Sequence, residues 1–335
     1  MNITNMHGAP ESILQAVTAD PYTKGEADFS VTELIKPPQI NRLWAEHENK
    51  ISMDVRDEFW KLLGRGVHHI LDQAPKCERC EGIGKIHDIS DGEEPRYLGG
   101  TWASGPSPSG EGEETCSKCD GSGEIDDGKL REQRFFAKQN DVTISGAIDL
   151  VNPANGRVTD YKVTSTYSVM KGLKPEWEQQ LNMYSWLLRQ NDISSSSLRI
   201  VALCRDWIRS RSDRSQKYPA SPIVILPVPK WPDEQQDQYI EERVRVHMDE
   251  STIPCTSEER WARGRYMVTG TDVKLKKPKL FDTLMEASVW TQGKENPAKG
   301  IAYQITETTP TYVRCEGNWC GVRDFCPQYQ GGEIG

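Results

Sequence analysis

Two acidic residues and a lysine give the first chemical signal. Asp149 closes the strand-like run VTISGAIDLV, and Asp160 and Lys162 lie in the next, RVTDYKVTS. Both runs alternate apolar and polar residues with a period of two, and Asn152-Pro153-Ala154-Asn155-Gly156 between them is turn chemistry. A β-hairpin follows, in which Asp149 and Asp160 approach one another while Asp160 and Lys162 share a face, with Tyr161 opposite. Two carboxylates converging on one point repel unless a cation lies between them. Hard oxygen ligands of this kind suit Mg²⁺ or Mn²⁺. Such an ion orients and deprotonates water beside a phosphate, and a neighbouring lysine steadies the developing charge. That is a phosphodiesterase site in outline, although D-x-K alone also describes an ordinary same-face ion pair.

The flanking motifs decide between these. GAIDLV…VTDYKVTS resembles motifs of the RecB-like branch of the PD-(D/E)XK nucleases, which includes CRISPR-associated nucleases and phage exonucleases. FSVTELI, ending at Ile35, resembles the opening helix of that family. GRGVHHIL carries G-x-x-x-H and EQQLNMY carries Q-x-x-x-Y, with Gln180 and Tyr184 one helical turn apart. The resemblance implies that His68, Asp149 and Asp160 bind the metal and that the Tyr161 carbonyl adds a ligand. It also implies that Lys162 is catalytic, while Gln180 and Tyr184 order the active site and the DNA backbone. Glu132 sits where some members carry a further acidic residue. By the same resemblance the chain is a metal-dependent DNA nuclease, an exonuclease serving phage or bacterial recombination, replication or repair. A structure-specific endonuclease, a non-catalytic nucleic-acid-binding adaptor and a zinc-organised interaction module stand as alternatives.

Nine cysteines, mostly clustered, read as metal ligands rather than disulfides. Cys77-x-x-Cys80 and Cys116-x-x-Cys119 are each followed by x-Gly-x-Gly, in CERCEGIG and CSKCDGSG. Four thiolates in two knuckles close a tetrahedral site for structural Zn²⁺ with no position left for chemistry. The knuckles resemble the cysteine-rich module of the DnaJ chaperones, but without a J-domain no chaperone function carries over. The tail RCEGNWCGVRDFCPQY holds Cys315, Cys320 and Cys326. In RecB-like nucleases three tail cysteines and an early one hold a [4Fe–4S] cluster, whereas here Lys36, Pro37 and Pro38 occupy the early position. Cys255 can supply the fourth thiolate of an iron–sulfur or second zinc site. Cys204, inside LRIVALC, reads as a core thiol.

The elements around these residues outline an α/β domain with a mixed central sheet, the PD-(D/E)XK restriction-endonuclease-like core, carrying a four-cysteine zinc insertion and a cysteine-rich tail. Residues 1–28 read as a loose arm and 29–335 as the nuclease domain, with a zinc insertion at 77–128 and a C-terminal extension at 251–335. From Asp54, a plausible N-cap, the apolar residues Val55, Phe59, Leu62, Leu63, Val67, Ile70 and Leu71 recur at helical spacing. Between the knuckles lies HDISDGEEPRYLGGTWASGPSPSGEGEE, a Gly/Ser/Pro/acidic loop. After the hairpin, PEWEQQLNMYSWLLRQ reads as a helix, SLRIVALC and PIVILPV as strands, and PDEQQDQYIEERVRVHMDE as an exposed helix. A helix around FDTLMEASVW and a strand near IAYQITE complete the reading.

The formal charge of −9 in 335 residues excludes a protein that coats nucleic acid by bulk electrostatics, but not a local basic groove. Arg205, Arg209, Arg211, Arg214 and Lys217 form one basic run; Lys274, Lys276, Lys277 and Lys279 form another. With no apolar span and no secretory start, a cytoplasmic protein of a bacterial cell or phage-infected host is expected. DNA, with single- or double-stranded ends, is the expected partner, and no membrane. No G-x-x-x-x-G-K-[ST] phosphate loop is present, so a motor function would need a separate helicase or recombinase partner.

Overall fold

A computed structural model describes residues 2–19, 23–87, 113–249, 251, 253–270, 278–294 and 302–330. Residues 88–112 of the loop expected between the knuckles, and the lysines Lys274, Lys276 and Lys277, lie outside these residues. The chain opens with β1 (Asn2–Thr4), α1 (Glu11–Thr18), β2 (Phe29–Ser30), α2 (Val31–Ile35), α3 (Pro38–His47), β3 (Ser52–Asp54) and α4 (Val55–Leu71). The insertion supplies β4 (Lys85–His87) and β5 (Glu113–Thr115). Then come β6 (Leu130–Gln139), β7 (Val142–Asn152), β8 (Arg157–Thr164), α5 (Thr166–Met170), α6 (Pro175–Gln190), β9 (Ser197–Cys204), α7 (Arg209–Ser212), β10 (Ile223–Val228) and α8 (Asp233–Met248). The extension holds β11 (Ala262–Arg263), β12 (Tyr266–Gly270), β13 (Lys279–Phe281), α9 (Leu284–Gln292), β14 (Tyr303–Glu307), β15 (Thr311–Tyr312), α10 (Val313–Glu316) and α11 (Pro327–Gln330).

The central sheet runs β10-β9-β8-β7-β2, with β6 also on β7. It is mixed: β8 lies parallel to β9 and β2 to β7, while β7/β8 and β9/β10 are antiparallel. The predicted hairpin is β7/β8, paired Leu150↔Thr159, Val151↔Val158 and Asn152↔Arg157. Gly156 turns the chain with a φ of +62°, and a Cβ there would meet the Ser196 backbone. Helices flank this sheet, as the sequence pattern required.

The chain divides into two compact units, residues 63–135 with 147–230 and residues 1–62 with 136–146 and 231–335. In the first of these, α6 is enclosed on most sides: Trp177, Leu181, Tyr184, Trp186, Leu187 and Leu188 are all buried. It packs on β8 and β9, whose inward residues Val158, Ile200 and Ala202 are sealed from solvent. Each fully buried Leu or Ile of this kind contributes about 1.5–3 kcal/mol, which fixes the strands that carry the acidic residues.

In the other unit, α2 starts with a capping box: Ser30 accepts the Glu33 N–H and Glu33 accepts the Ser30 N–H. Its end is held by α8. Arg243 donates to the carbonyls of Leu34 and Lys36, and His247, one turn on, donates to the same two at 3.1 Å.

Two expectations change. Part of the supposed loose arm is built: β1 pairs parallel with β3, and Asp54 accepts the Met6 N–H at 2.9 Å and the Thr4 hydroxyl at 3.2 Å. Three-residue strands are too short to leave a period in the sequence. Asp54 also accepts the Arg56 N–H at 3.3 Å, as an N-cap would. Along α4, however, Val55 is buried while Phe59, Leu63, Ile70 and Leu71 are exposed, so the apolar spacing does not mark a core-facing stripe.

Candidate metal centre

The hairpin brings its acidic residues together through one backbone contact. The Tyr161 N–H donates to Asp149 Oδ2 at 2.7 Å, tying the β7 carboxylate to the β8 main chain. Asp160, 1% exposed, projects from β8 beside Lys162, whose Nζ lies 3.0 Å from Oδ1 and 2.8 Å from Oδ2. Lys162 donates to Oδ1 only; the approach to Oδ2 is close enough for charge attraction but not aligned for a hydrogen bond. Oδ2 is therefore buried with no hydrogen-bond donor.

His68, in the last turn of α4, reaches the same point. Its Nδ1 lies 2.9 Å from Glu132 Oε1 and 3.5 Å from Asp149 Oδ2, and its Nε2 lies 3.1 Å from the Tyr161 carbonyl oxygen. Ligand atoms of His68, Glu132 and Asp149 all fall within 4.8 Å of one another. Glu132 lies in β6 with a φ of +44°, a left-handed backbone rare for any residue with a side chain.

The electrostatics describe an under-compensated anionic site. Burial, then the neighbouring Asp160, pushes the Asp149 carboxyl up to about 8. The hydrogen bond to Glu132 raises the His68 imidazole against the cost of burial, with Asp149 adding to it. Burial works against the Lys162 ammonium, but Asp160 and Asp149 outweigh it and raise its pKa. The His68 imidazole and the Glu132 and Asp149 carboxyls, with the Tyr161 main-chain carbonyl beside them, form a donor set that fits a hard divalent cation, while Asp160 is held by the Lys162 ammonium.

His68, Glu132, Asp149 and the Tyr161 carbonyl thus meet, and Asp160 and Lys162 pair on β8. Gln180 and Tyr184 form a separate pair on α6, where Gln180 Nε2 donates to the Tyr184 hydroxyl at 2.8 Å. Lys174, at the N-cap of α6, gave no sequence signal. Burial lowers its pKa and the nearby Arg205 and Lys162 add to the shift, against Glu176.

Cys77, Cys80, Cys116 and Cys119 make a second centre in the same unit. Sγ–Sγ separations are 3.8 Å for Cys77–Cys116 and 3.7 Å for Cys80–Cys119. Thiolates bound at about 2.3 Å to one tetrahedral ion stand about 3.8 Å apart, so the spacing fits zinc. The knuckles interlock: the Cys77 N–H donates to the Gly123 carbonyl and the Cys116 N–H to that of Gly84. Gly84 and Gly123 also donate N–H groups to Cys80 and Cys119 sulfur at 3.3 Å. Both glycines have a φ of +79°, and a Cβ on either would strike the backbone of the opposite knuckle.

Cys255, Cys315, Cys320 and Cys326 line one small cavity in the other unit, with Gln39, Arg260 and Arg314. Gln39, in α3 one residue beyond Lys36-Pro37-Pro38, accepts the Cys255 N–H and donates to Cys326 sulfur at 3.5 Å. Burial, then Glu259, pushes the Cys255 thiol up to about 12. Among the described residues these sulfurs do not form a set of three within 4.8 Å, unlike the knuckle cysteines.

A family profile described as the PD-(D/E)XK nuclease superfamily matches residues 61–327, from α4 to just past Cys326. No curated protein matches the chain. A solved structure titled "Crystal structure of SSO0001" is 11% identical, covering 74% of this chain and 88% of that one with a TM-score of 0.40. No helix among the described residues is long and apolar enough to cross a membrane. With the family match spanning most of its length, the chain belongs to the PD-(D/E)XK nuclease superfamily, a membership that implies a metal-dependent nuclease acting on DNA.

Proposed function

We propose that this chain is a Mg²⁺- or Mn²⁺-dependent deoxyribonuclease of the RecB-like branch that degrades DNA from its ends. The observation that carries the reading is the convergence of His68, Asp149, Asp160 and the Tyr161 carbonyl beside Lys162. His68, the two aspartates and that carbonyl would hold the cation, which when bound would supply polarisation of a phosphate oxygen and acidification of a water. Asp160 fixes the Lys162 ammonium, which holds the attacking water and steadies charge on phosphorus as it develops. Gln180 and Tyr184 orient each other on α6 and the backbone of the strand being cut.

Zinc in the knuckle tetrad has a structural role in this reading, since four thiolates leave no open position. A [4Fe–4S] cluster or a second zinc belongs, in this reading, to Cys255, Cys315, Cys320 and Cys326, the four thiols that line the small tail cavity. Recombination, replication or repair in a bacterial or phage setting is the pathway this chemistry serves, with a helicase or recombinase as separate partner.

The test is incubation of pure protein with end-labelled linear DNA and closed circular DNA, single- and double-stranded, with Mg²⁺, Mn²⁺ or EDTA. Metal-dependent loss of linear DNA with circles untouched supports the exonuclease. Cut circles turn the reading into an endonuclease on the same core. No cleavage by folded, metal-loaded protein rejects both.

A further inference from the structure

Glu132 is bound to the centre in a way that the nuclease reading leaves unused. It stands 64 residues from His68 in sequence, yet its Oε1 sits 2.9 Å from His68 Nδ1. To get there the β6 backbone takes a φ of +44°, where Cβ crowds the following carbonyl. Conformations of this kind persist where surrounding structure imposes them, and they cluster at functional sites.

The two edges of the His68 ring face different partners. Nδ1 faces the Glu132 carboxylate, and Nε2 lies 3.1 Å from the Tyr161 carbonyl oxygen. Adjacent ligands of an octahedral ion with bonds of about 2.1 Å stand about 3.0 Å apart. The Nε2 and Tyr161 oxygen, hydrogen-bonded in the metal-free chain, are close enough to become two neighbouring ligands once a cation replaces that proton. Asp149 Oδ2, near the Nδ1 edge, is already engaged by the Tyr161 N–H. One imidazole cannot turn both nitrogens to one ion, so the edge facing Glu132 is the edge that is held.

We infer that Glu132 is a positioning residue: its carboxylate accepts a hydrogen bond from the Nδ1–H of His68, fixing the tautomer and ring angle that present Nε2 to the divalent cation. The inference rests on the nuclease reading of the centre. It assigns Glu132 the outer-carboxylate part of a carboxylate–histidine–metal relay, an arrangement whose loss weakens metal binding about 10–100-fold.

The experiment is calorimetric titration of the full chain with Mn²⁺, comparing wild type, Glu132→Ala, Glu132→Gln and Glu132→Asp, each checked by circular dichroism. An amide oxygen still accepts from Nδ1–H, whereas the aspartate keeps its charge but falls one methylene short. Expected are a loss of Mn²⁺ affinity of about 10–100-fold for Glu132→Ala and Glu132→Asp, and near wild-type affinity for Glu132→Gln. Unchanged affinity in Glu132→Ala overturns the inference. So does a Glu132→Gln loss as large as that of Glu132→Ala, which would make Glu132 a direct ligand. If Glu132→Ala fails to fold, the Gln and Asp variants decide alone, by their opposite predictions. Wild-type protein that takes up no Mn²⁺ is a different failure: it removes the nuclease reading itself.

Discussion

The Tyr161 N–H is bonded to the Asp149 carboxylate across the hairpin at 2.7 Å, so one carboxylate and the neighbouring main-chain carbonyl move as a unit. Asn at position 149 keeps an oxygen for that N–H but removes the charge. The carboxyl of Asp149 stays protonated in the folded, metal-free chain to about pH 8, while in the unfolded chain it ionises near 3.8. The folded state therefore holds the extra proton in that window, and stability at this site is lost as pH rises. Asp149→Asn is expected to melt higher than wild type without metal, by a margin growing from about pH 4 to about pH 8. It is also expected to lose the stabilisation that Mn²⁺ confers. Melting curves across pH, with EDTA and with Mn²⁺, check both.

Lys162→Met keeps the aliphatic stem and deletes the charge. Cleavage is expected to fall by about 10²–10³-fold or more, as for removal of a donor aimed at a transition state. Asp160 is then left buried without its cation, at a cost on the order of 3 kcal/mol in the metal-free chain. Mn²⁺ should recover part of that stability but none of the activity. Urea melts with and without Mn²⁺, beside the cleavage assay, separate the two losses.

Gly84→Ala or Gly123→Ala should break the knuckle pair, because a Cβ at either site meets the opposing backbone. The expected result is loss of one zinc equivalent by elemental analysis and faster proteolysis between Lys76 and Glu124. Stoichiometric zinc in either variant would contradict the interlocked geometry.

Protein purified without oxygen should carry iron and acid-labile sulfide, and Cys255→Ser should lose both. Gln39→Cys places a thiol where the Gln39 amide now donates to Cys326 sulfur. In the Cys255→Ser background it should recover cluster content. Zinc in place of iron in wild type would assign the cavity to a single ion.

Glu132→Gly relieves the left-handed strain but loses the His68 hydrogen bond and adds the entropy cost of glycine, so the metal-free chain should change little in stability while Mn²⁺ binding weakens. Melting and calorimetry on the same samples check both.

The hairpin was legible in the sequence because everything that shapes it is local. The turn residues lie between the two strands, and a period of two sets which side chains share a face. The α6 helix was legible for the same reason, from Pro175 and an unbroken run of helix formers. The part played by Glu132 was not, since its reach depends on a backbone angle that no residue type encodes. Lys174 gave no signal either, because its neighbours Arg205 and Lys162 are brought to it by the sheet. The meeting of Cys255 with the tail was only an arithmetic possibility among spaced thiols until Gln39 and the cavity joined them. The α4 stripe misled, as periodicity reports which residues share a side and not whether anything covers it.

The knuckle hairpin also has a consequence for chain entropy at the acidic centre. His68 and Glu132 are 64 residues apart, but the Ile125 N–H bonds the Pro75 carbonyl, so the path between them shortens to seven residues on each side. A loop of about 14 rather than about 64 residues lowers the cost of closure by about 1.3 kcal/mol. The insertion thus acts as a short-circuit in the chain: while it is folded, two groups of the centre are near neighbours in contour as well as in space.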